Sequence, residues 1–299
     1  MIDVTLLGTG GMLPLPERAL TALYVRFDGR ALLIDCGEGT QTQLRAAGLR
    51  FKPIEAILIT HFHADHMAGL PGLLLTLGNE GRTEPLTMYG PIGLEKTVNA
   101  LRAIFPELPY ELQFREFGME KNDHISVIGL EVDIFPADHG IDCLGYCLNL
   151  NRAGKFDPAA ARSKGIPQKL WGRLQKGECV EGFTPADVLG APRKGIRVLY
   201  STDTRPVPGI VEFGQEADLM ILEGMFGEHD KQARAEVSHN MMMQEAAAIA
   251  AKTGAKELWL THYSPATPDP ELFAEELNAI FHNTVVAKDG ITKTLQFQD

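Results

Sequence analysis

No apolar run in this sequence approaches the ~20 residues that a membrane-spanning helix needs. The first residues, MIDVTLLGTGG, carry no basic stretch ahead of their apolar segment, so neither a membrane protein nor one with a secretory leader is expected. Cysteine is sparse. Cys36, Cys143, Cys147 and Cys179 form no CxxC pair and no framework spacing, which argues against a disulfide scaffold or a thiolate zinc cluster and leaves free, mostly buried thiols. Positive charge is in deficit too: 28 basic against 39 acidic residues give a net charge of −11, which as an average disfavours a polyanionic partner. Low-complexity tracts and short repeats are missing. What remains is the profile of a soluble, cytoplasmic globular protein, and 299 residues with 44% hydrophobic and 22% charged content suit one large domain or two intimately packed halves.

Within that ordinary composition, six short runs rich in Val, Ile and Leu each stop at a polar residue. They are ALLID to Asp35, EAILIT to His61, LEVDIFPADH to His139, RVLYSTD to Asp203, LMILE to Glu223 and LWLTH to His262. Helical patterns lie between them: GTQTQLRAAG after Asp35, residues 93–105, MMMQEAAAIAAKTG with its stop at Gly254, and residues 270–282. Strands interleaved with helices predict an α/β fold, and six strand ends bearing His, Asp or Glu are expected to converge on one sheet edge.

The densest signal is Thr60-His61-Phe62-His63-Ala64-Asp65-His66. Four ionisable side chains within six residues, directly after an apolar strand, need something that compensates their desolvation, and a metal ion does so. Imidazole and carboxylate are the ligands zinc takes in sites that leave a position for water. In an extended segment His61 and His63 point to one side, and the turn that follows aims Asp65 and His66 at a second ion.

With GTGG at 8–11, DCGEGTQ at 35–41, GLPGLL at 69–74, YGP at 89–91, DHG at 138–140 and LTHYS at 260–264, THFHADH resembles the metallo-β-lactamase superfamily, and within it the ribonuclease Z family. The likeness runs over nearly the whole chain. It implies an αββα sandwich over residues 1–299, two zinc ions per subunit with manganese as the other metal that suits the ligands, and a homodimer. It also implies a split of the ligands: His61, His63 and His139 on one ion, Asp65, His66 and His262 on the other, Asp203 bridging. Asp65, beside both metal and water, is the expected proton acceptor. His239, in VSHNMMMQEAAAIAA just before a predicted helix, is the expected general acid for the departing oxygen. Glu223 matches the family's glutamate after a strand and is the third expected catalytic residue. Both sit in altered surroundings, since Asn240 and Met241 follow His239 where the family has Ser or Thr, and Glu223 lies in LEGMF where the family has HEATF. Asp35, matching no ligand, is expected to orient a histidine. His124, His229 and His282 match nothing and are expected on the surface.

The superfamily spans several chemistries, so the metal motif alone selects no substrate. Residues 152–176 are more informative: seven lysines and arginines against Asp157 alone give +6, leaving −17 for the rest. A basic block in an acidic protein is what phosphate-backbone contact requires. The ribonuclease Z family carries a protruding tRNA-gripping arm here, and residues 165–178 resemble part of it, with LQKG at 174–177 and without an intact Gly-Pro pair. The expectation is therefore an inserted arm over 152–195, with Lys164, Lys169, Arg173 and Lys176 touching substrate and Trp171 anchoring the arm's base. The substrate implied is precursor tRNA, cut to leave a tRNA 3′-hydroxyl and a 5′-phosphorylated trailer. The alternatives are a two-metal small-molecule phosphodiesterase or esterase on the same site, and a noncatalytic nucleic-acid-binding relative, which the complete ligand set disfavours.

Overall fold

The computed structural model describes every residue except Pro106 and Asp299. The apolar runs form strands in two seven-stranded sheets. The first half supplies β1 (Ile2–Gly8), β2 (Ala22–Phe27), β3 (Arg30–Ile34), β4 (Ile54–Leu58), β5 (Leu86–Pro91) and β6 (Leu112–Phe117). The second sheet takes β7 (Asp123–Val127), β8 (Leu130–Pro136), β9 (Leu144–Arg152), β10 (Arg193–Ser201), β11 (Leu219–Glu223), β12 (Leu258–Thr261) and β13 (Thr284–Val286). β14 (Thr292–Leu295) returns to the first sheet and pairs with β1, giving the orders β14-β1-β2-β3-β4-β5-β6 and β13-β12-β11-β10-β9-β8-β7.

Both sheets follow one plan dictated by their connections. Two-residue turns make the antiparallel parts: Asp28-Gly29 joins β2 to β3 and Ile128-Gly129 joins β7 to β8, all four residues with positive φ as tight hairpins require. The parallel parts, β3 to β6 and β10 to β13, need crossovers, and the helices Leu70–Asn79, Leu94–Leu101, Pro208–Phe213 and Met243–Thr253 lie in them. Each sheet packs one face on its helices, Leu33, Ile57 and Met88 against Leu70, Leu73 and Leu94 in the first, Leu199, Met220 and Leu260 against Met243, Ala246 and Ile210 in the second. The alternate residues Leu32, Leu58, Val198 and Ile221 are fully buried on the opposite faces, and each such side chain contributes about 1.5–3 kcal/mol. Tyr146 on β9 donates to Ile59 O at 2.6 Å and Leu144 N to Thr60 O at 2.9 Å, tying the second sheet to the end of β4. The result is the expected αββα arrangement. Among the described residues no helix is long and apolar enough to cross a membrane.

The six polar strand ends do not share one sheet edge. β3 and β4 belong to the first sheet and β8, β10, β11 and β12 to the second, because the chain changes sheet between β6 and β7; the ends meet where the two sheets abut.

The chain divides into two compact units: residues 1–149 and 197–295 form the first and hold nearly all of both sheets, while residues 150–196, which include the end of β9 and the start of β10, form the second with the residues from Gln296 onward. An insertion over 152–195 within one domain is the sequence expectation. The second unit has its own small core of Ala161, Ile166, Leu170, Leu174, Val180 and Val188. Its helices, Pro158–Ser163 and Gln168–Gln175, are set by local signals. Asp157 caps the first by accepting from Ala159 N and Ala160 N, and Gly165, at φ 67°, ends that turn where a side chain would be strained. The C-terminal residues join this unit as no motif foretold: Arg152 donates to Gln298 O at 2.7 Å and lies 4.9 Å from the Phe297 ring.

Candidate metal centre

After β4 the chain bends at Thr60, brings the His61 and His63 rings together, and enters from the extended His63 the one-turn helix Ala64–Met67 that carries Asp65 and His66. The other strand ends turn more sharply. Asp35 directly after β3, Asp203 two residues beyond β10 and His262 directly after β12 all adopt left-handed backbone, with φ of 63°, 50° and 57°. For a non-glycine residue that conformation costs roughly 1–2 kcal/mol, and three neighbouring instances persist only because the surroundings fix them.

Two clusters result. His61 Nε2 and His139 Nε2 lie 3.0 and 3.1 Å from His63 Nδ1, so three imidazole nitrogens converge. Beside them, His66 Nε2 and His262 Nε2 lie 3.0 and 3.1 Å from Asp203 Oδ2, and Asp65 Oδ2 lies 3.3 Å from His262 Nε2. The second oxygen of Asp203, Oδ1, is 3.6 Å from His139 Nε2, so this one carboxylate faces both clusters.

The far nitrogens are engaged in a way that aims the near ones. His66 Nδ1 donates to Asp35 Oδ2 at 2.8 Å. His61 Nδ1 donates to Thr60 Oγ1 at 3.0 Å, and that hydroxyl donates onward to Asp35 at 2.9 Å. His139 Nδ1 donates to the His239 carbonyl at 3.2 Å. Each bond fixes a tautomer whose other nitrogen presents a lone pair inward, as metal ligands require.

The donor set fits divalent cations. Asp203 Oδ2 is buried and, despite the nearby imidazoles, satisfies hydrogen-bond geometry with none of them. Burial disfavours charge on Asp203, yet His262 and His66 outweigh it and hold the carboxyl well below its usual range; Asp65 is held down in the same way, against its burial, chiefly by His262 and His66. Burial would likewise keep His66 neutral, but Asp35 and Asp203 push its pKa well above the ordinary value, whereas burial and His66 depress His61. Positive charge is what the centre demands, and divalent cations held by these nitrogens and oxygens would meet the demand without protons.

Glu223 ends β11 fully buried behind this centre. It accepts from Thr204 N and from Asn240 Nδ2 at 3.0 Å, its Oε2 is 4.0 Å from His262 Nδ1, and burial together with Asp203 pushes its carboxyl well above the usual range. His239 does not stand immediately before a helix. It follows the short helix Gln232–Val237, and the next one begins only at Met243, because Arg205 grips the intervening loop through the Asn240 carbonyl and Glu245. A pocket of about 390 Å³ opens over the centre, lined by His63, Asp65, His139 and Asp203 and walled by Met12, Met225 and Phe226. Asn240, Thr60 and Asp138 complete the surroundings; Thr60 and Asp138 lie inside the THFHADH and DHG stretches without being read as site residues, and Asn240 has no signal beyond adjacency to His239. His124, His229 and His282 are exposed.

In the second unit, three of the four expected substrate cations are held by acids: Lys164 by Asp187 at 2.6 Å, Arg173 by Glu178 at 2.7 Å and Lys169 by Glu181 at 3.8 Å. Those acids lie just beyond the 152–176 window, and the charge over residues 150–196 is +5. Trp171 packs on the small core and donates to Ile166 O at 3.0 Å.

The family model described as Anti-Pycsar protein Apyc1 matches residues 2–153, which hold the first five expected ligands and stop short of Asp203 and His262. A protein named Ribonuclease Z from Lachnospira eligens is 48% identical, covering 100% of this chain and 99% of its own. The crystal structure of human tRNase Z, short form, superposes with a TM-score of 0.73 at 25% identity, covering 99% of this chain and all of its own. The metallo-beta-lactamase fold protein YhfI from Bacillus subtilis does so at 0.71 and 18% identity, over 98% of each chain, which shows the fold. The chain belongs to the ribonuclease Z family, and its residues 2–153 to the family described as Anti-Pycsar protein Apyc1.

Proposed function

We propose that this protein is a zinc-dependent endoribonuclease that cuts the 3′ trailer from precursor tRNA, leaving a 3′-hydroxyl on the tRNA and a 5′-phosphate on the trailer. The observation that carries the reading is the two-sided Asp203 carboxylate between two clusters of inward-facing nitrogens. Such a site holds a pair of ions. On this reading His61, His63 and His139 would hold one, Asp65, His66 and His262 would hold the other, and Asp203, which faces both clusters, would serve both. When bound, two zinc ions lower the pKa of a water and neutralise charge on the phosphoryl oxygens; manganese suits the same ligands.

The chain's own groups do the rest. Asp65 accepts the proton of the attacking water, and the amide of Met12, donating to Asp65 Oδ2 at 2.6 Å, keeps that carboxylate turned inward. His239 protonates the departing O3′. Glu223 acts from behind, holding Asn240 and the Thr204 amide and so the loop that bears Asp203. Lys164, Lys169, Arg173 and Lys176 take the tRNA backbone, the first three by exchanging surface ion pairs of small net worth for phosphates. The enzyme works as a cytoplasmic homodimer, as the family resemblance implies.

Incubating the zinc-loaded protein with a precursor tRNA bearing a 3′ trailer tests the reading: a single cut at the end of the acceptor stem is expected, and its absence overturns the tRNA assignment. The pairing of arm cations with Asp187, Glu178 and Glu181 favours a second reading, a small-diester hydrolase. Under it the protein neither binds tRNA nor depends on residues 152–176 for turnover of bis(p-nitrophenyl) phosphate.

A further inference from the structure

We infer that Asp138 is the residue that positions His239 for proton delivery, a role that rests on the assignment of His239 as general acid. His239 Nδ1 lies 2.8 Å from Asp138 Oδ1. On the other side of the ring, a Cβ placed on Gly140 would sit 3.5 Å from His239 Cδ2, so the imidazole is held between two residues of one loop. Its Nε2 makes no hydrogen bond among the described residues and is the atom left to donate.

The loop itself is fixed to the metal centre. His139, between Asp138 and Gly140, is an expected ligand, and its Nδ1 donates to the His239 carbonyl, closing a ring of contacts through Asp138, His139 and His239. The backbone of Asp138 is pinned on both sides, its N donating to Thr204 Oγ1 at 2.9 Å and its O accepting from Arg205 N at 2.9 Å, one and two residues beyond Asp203. His239 pays for its place with left-handed backbone at φ 52°, which aims the side chain back at this loop. Glu223, the nearest acid by sequence resemblance, is bonded to Thr204 and Asn240 and so is not the partner of this ring.

In the reaction His239 enters protonated on both ring nitrogens: the P–O3′ bond breaks as the water oxygen bonds to phosphorus and gives its proton to Asp65, the Nε2 proton passes to O3′, and the neutral imidazole keeps its Nδ1 proton, hydrogen-bonded to Asp138. Asp138 takes no proton. It holds the Nδ1–H and the ring angle, and a misplacement of about 1 Å is enough to cost on the order of 100-fold.

The test compares Asp138→Ala, Asp138→Asn, His239→Ala and Asp138→Ala/His239→Ala on precursor tRNA, whose leaving alkoxide needs a proton, and on bis(p-nitrophenyl) phosphate, whose nitrophenolate does not. Zinc content is measured on every variant to keep folding and metal loss separate. Asp138→Ala is expected to lower kcat on the RNA about 10- to 100-fold with KM little changed, and to do so at least tenfold more than on the nitrophenyl ester. Asparagine, whose amide oxygen still accepts from Nδ1, is expected to restore most of the rate. The double variant is expected to be no slower than His239→Ala. Equal losses on both substrates, or additive losses in the double variant, overturn the role of Asp138. If His239→Ala itself leaves RNA cleavage intact, it is the general-acid assignment that fails.

Discussion

Asp35 Oδ2 accepts from His66 Nδ1 at 2.8 Å while its two oxygens also take the Thr60 amide and hydroxyl, so one buried carboxylate steers His66 directly and His61 through Thr60. Partners of this kind contribute about 10- to 100-fold to metal affinity. Asp35→Ala is therefore expected to weaken zinc binding by that factor in a chelator competition assay. Asp35→Asn, which tolerates the left-handed backbone and still offers an acceptor, is expected to lose less. Unaltered affinity in Asp35→Ala would show that the histidines are oriented without it.

Gly11 approaches the centre more closely than any side chain would allow. A Cβ at this position would lie 2.5 Å from His262 Cε1 and 2.7 Å from Nε2. Its amide donates to the Tyr263 carbonyl at 3.1 Å, so the backbone cannot retreat without losing that bond. Gly11→Ala is expected to push His262 aside and to reduce bound zinc from two equivalents toward one, read by elemental analysis of dialysed protein. Two equivalents in the variant would mean that the ring yields at no cost.

The pattern of strand ends was readable because a buried strand is an uninterrupted apolar run that must stop where the chain becomes polar. Thus Asp35, Asp203 and His262 announce themselves at the ends of β3, β10 and β12. What the pattern lacks is sheet membership: nothing in EAILIT or RVLYSTD says that β4 and β10 lie in different sheets. Hydrogen bonds between loops are equally silent. Asp138 meets His239 across 101 residues and Asn240 meets Glu223 across 17, and no spacing rule connects such pairs. The arm shows a third limit, for a charge window that ends at residue 176 omits Glu178, Glu181 and Asp187, which fold back onto its cations.

The four thiols differ in exposure, which makes them separable. Burial pushes Cys36 and Cys147 up to about 12 and Cys143 well above the ordinary thiol, while Cys179 is exposed. Thiolate is the reactive form. Native protein at pH 8 is expected to release one equivalent of colour with an aromatic disulfide reagent and four after denaturation, and Cys179→Ser is expected to abolish the native signal. Rapid reaction of a second thiol would show that one of the buried three opens readily.

Asp187 gives a pH marker for the second unit. The Lys164 ammonium and the Thr184 amide and hydroxyl lower its carboxyl from 3.8 to about 2. A folded pKa below the unfolded one means that folding favours the ionised form. Its contribution is thus complete above the unfolded value and is lost as pH falls through about 2. Carboxyl NMR titration should find Asp187 near that value, and Lys164→Ala should move it up. An ordinary value in the parent protein would mean that the pair does not persist in solution.

The arm's role can be read from salt dependence, since each phosphate contact releases counterions and adds about one to the slope of log affinity against log salt. Lys176 makes no ion pair among the described residues, whereas Lys164 must leave Asp187 before it can meet a phosphate. If both touch the tRNA, Lys176→Ala is expected to lower the slope by about one unit and weaken precursor and mature tRNA alike, because phosphate contacts carry no sequence information. Lys164→Ala is expected to cost less affinity, because the parent lysine spends part of its interaction on breaking an existing pair. Asp187→Ala would then tighten tRNA binding by freeing that cation. Tighter binding in Asp187→Ala together with weaker binding in Lys176→Ala identifies this face as the RNA contact. An unchanged slope in every variant assigns the RNA to another surface.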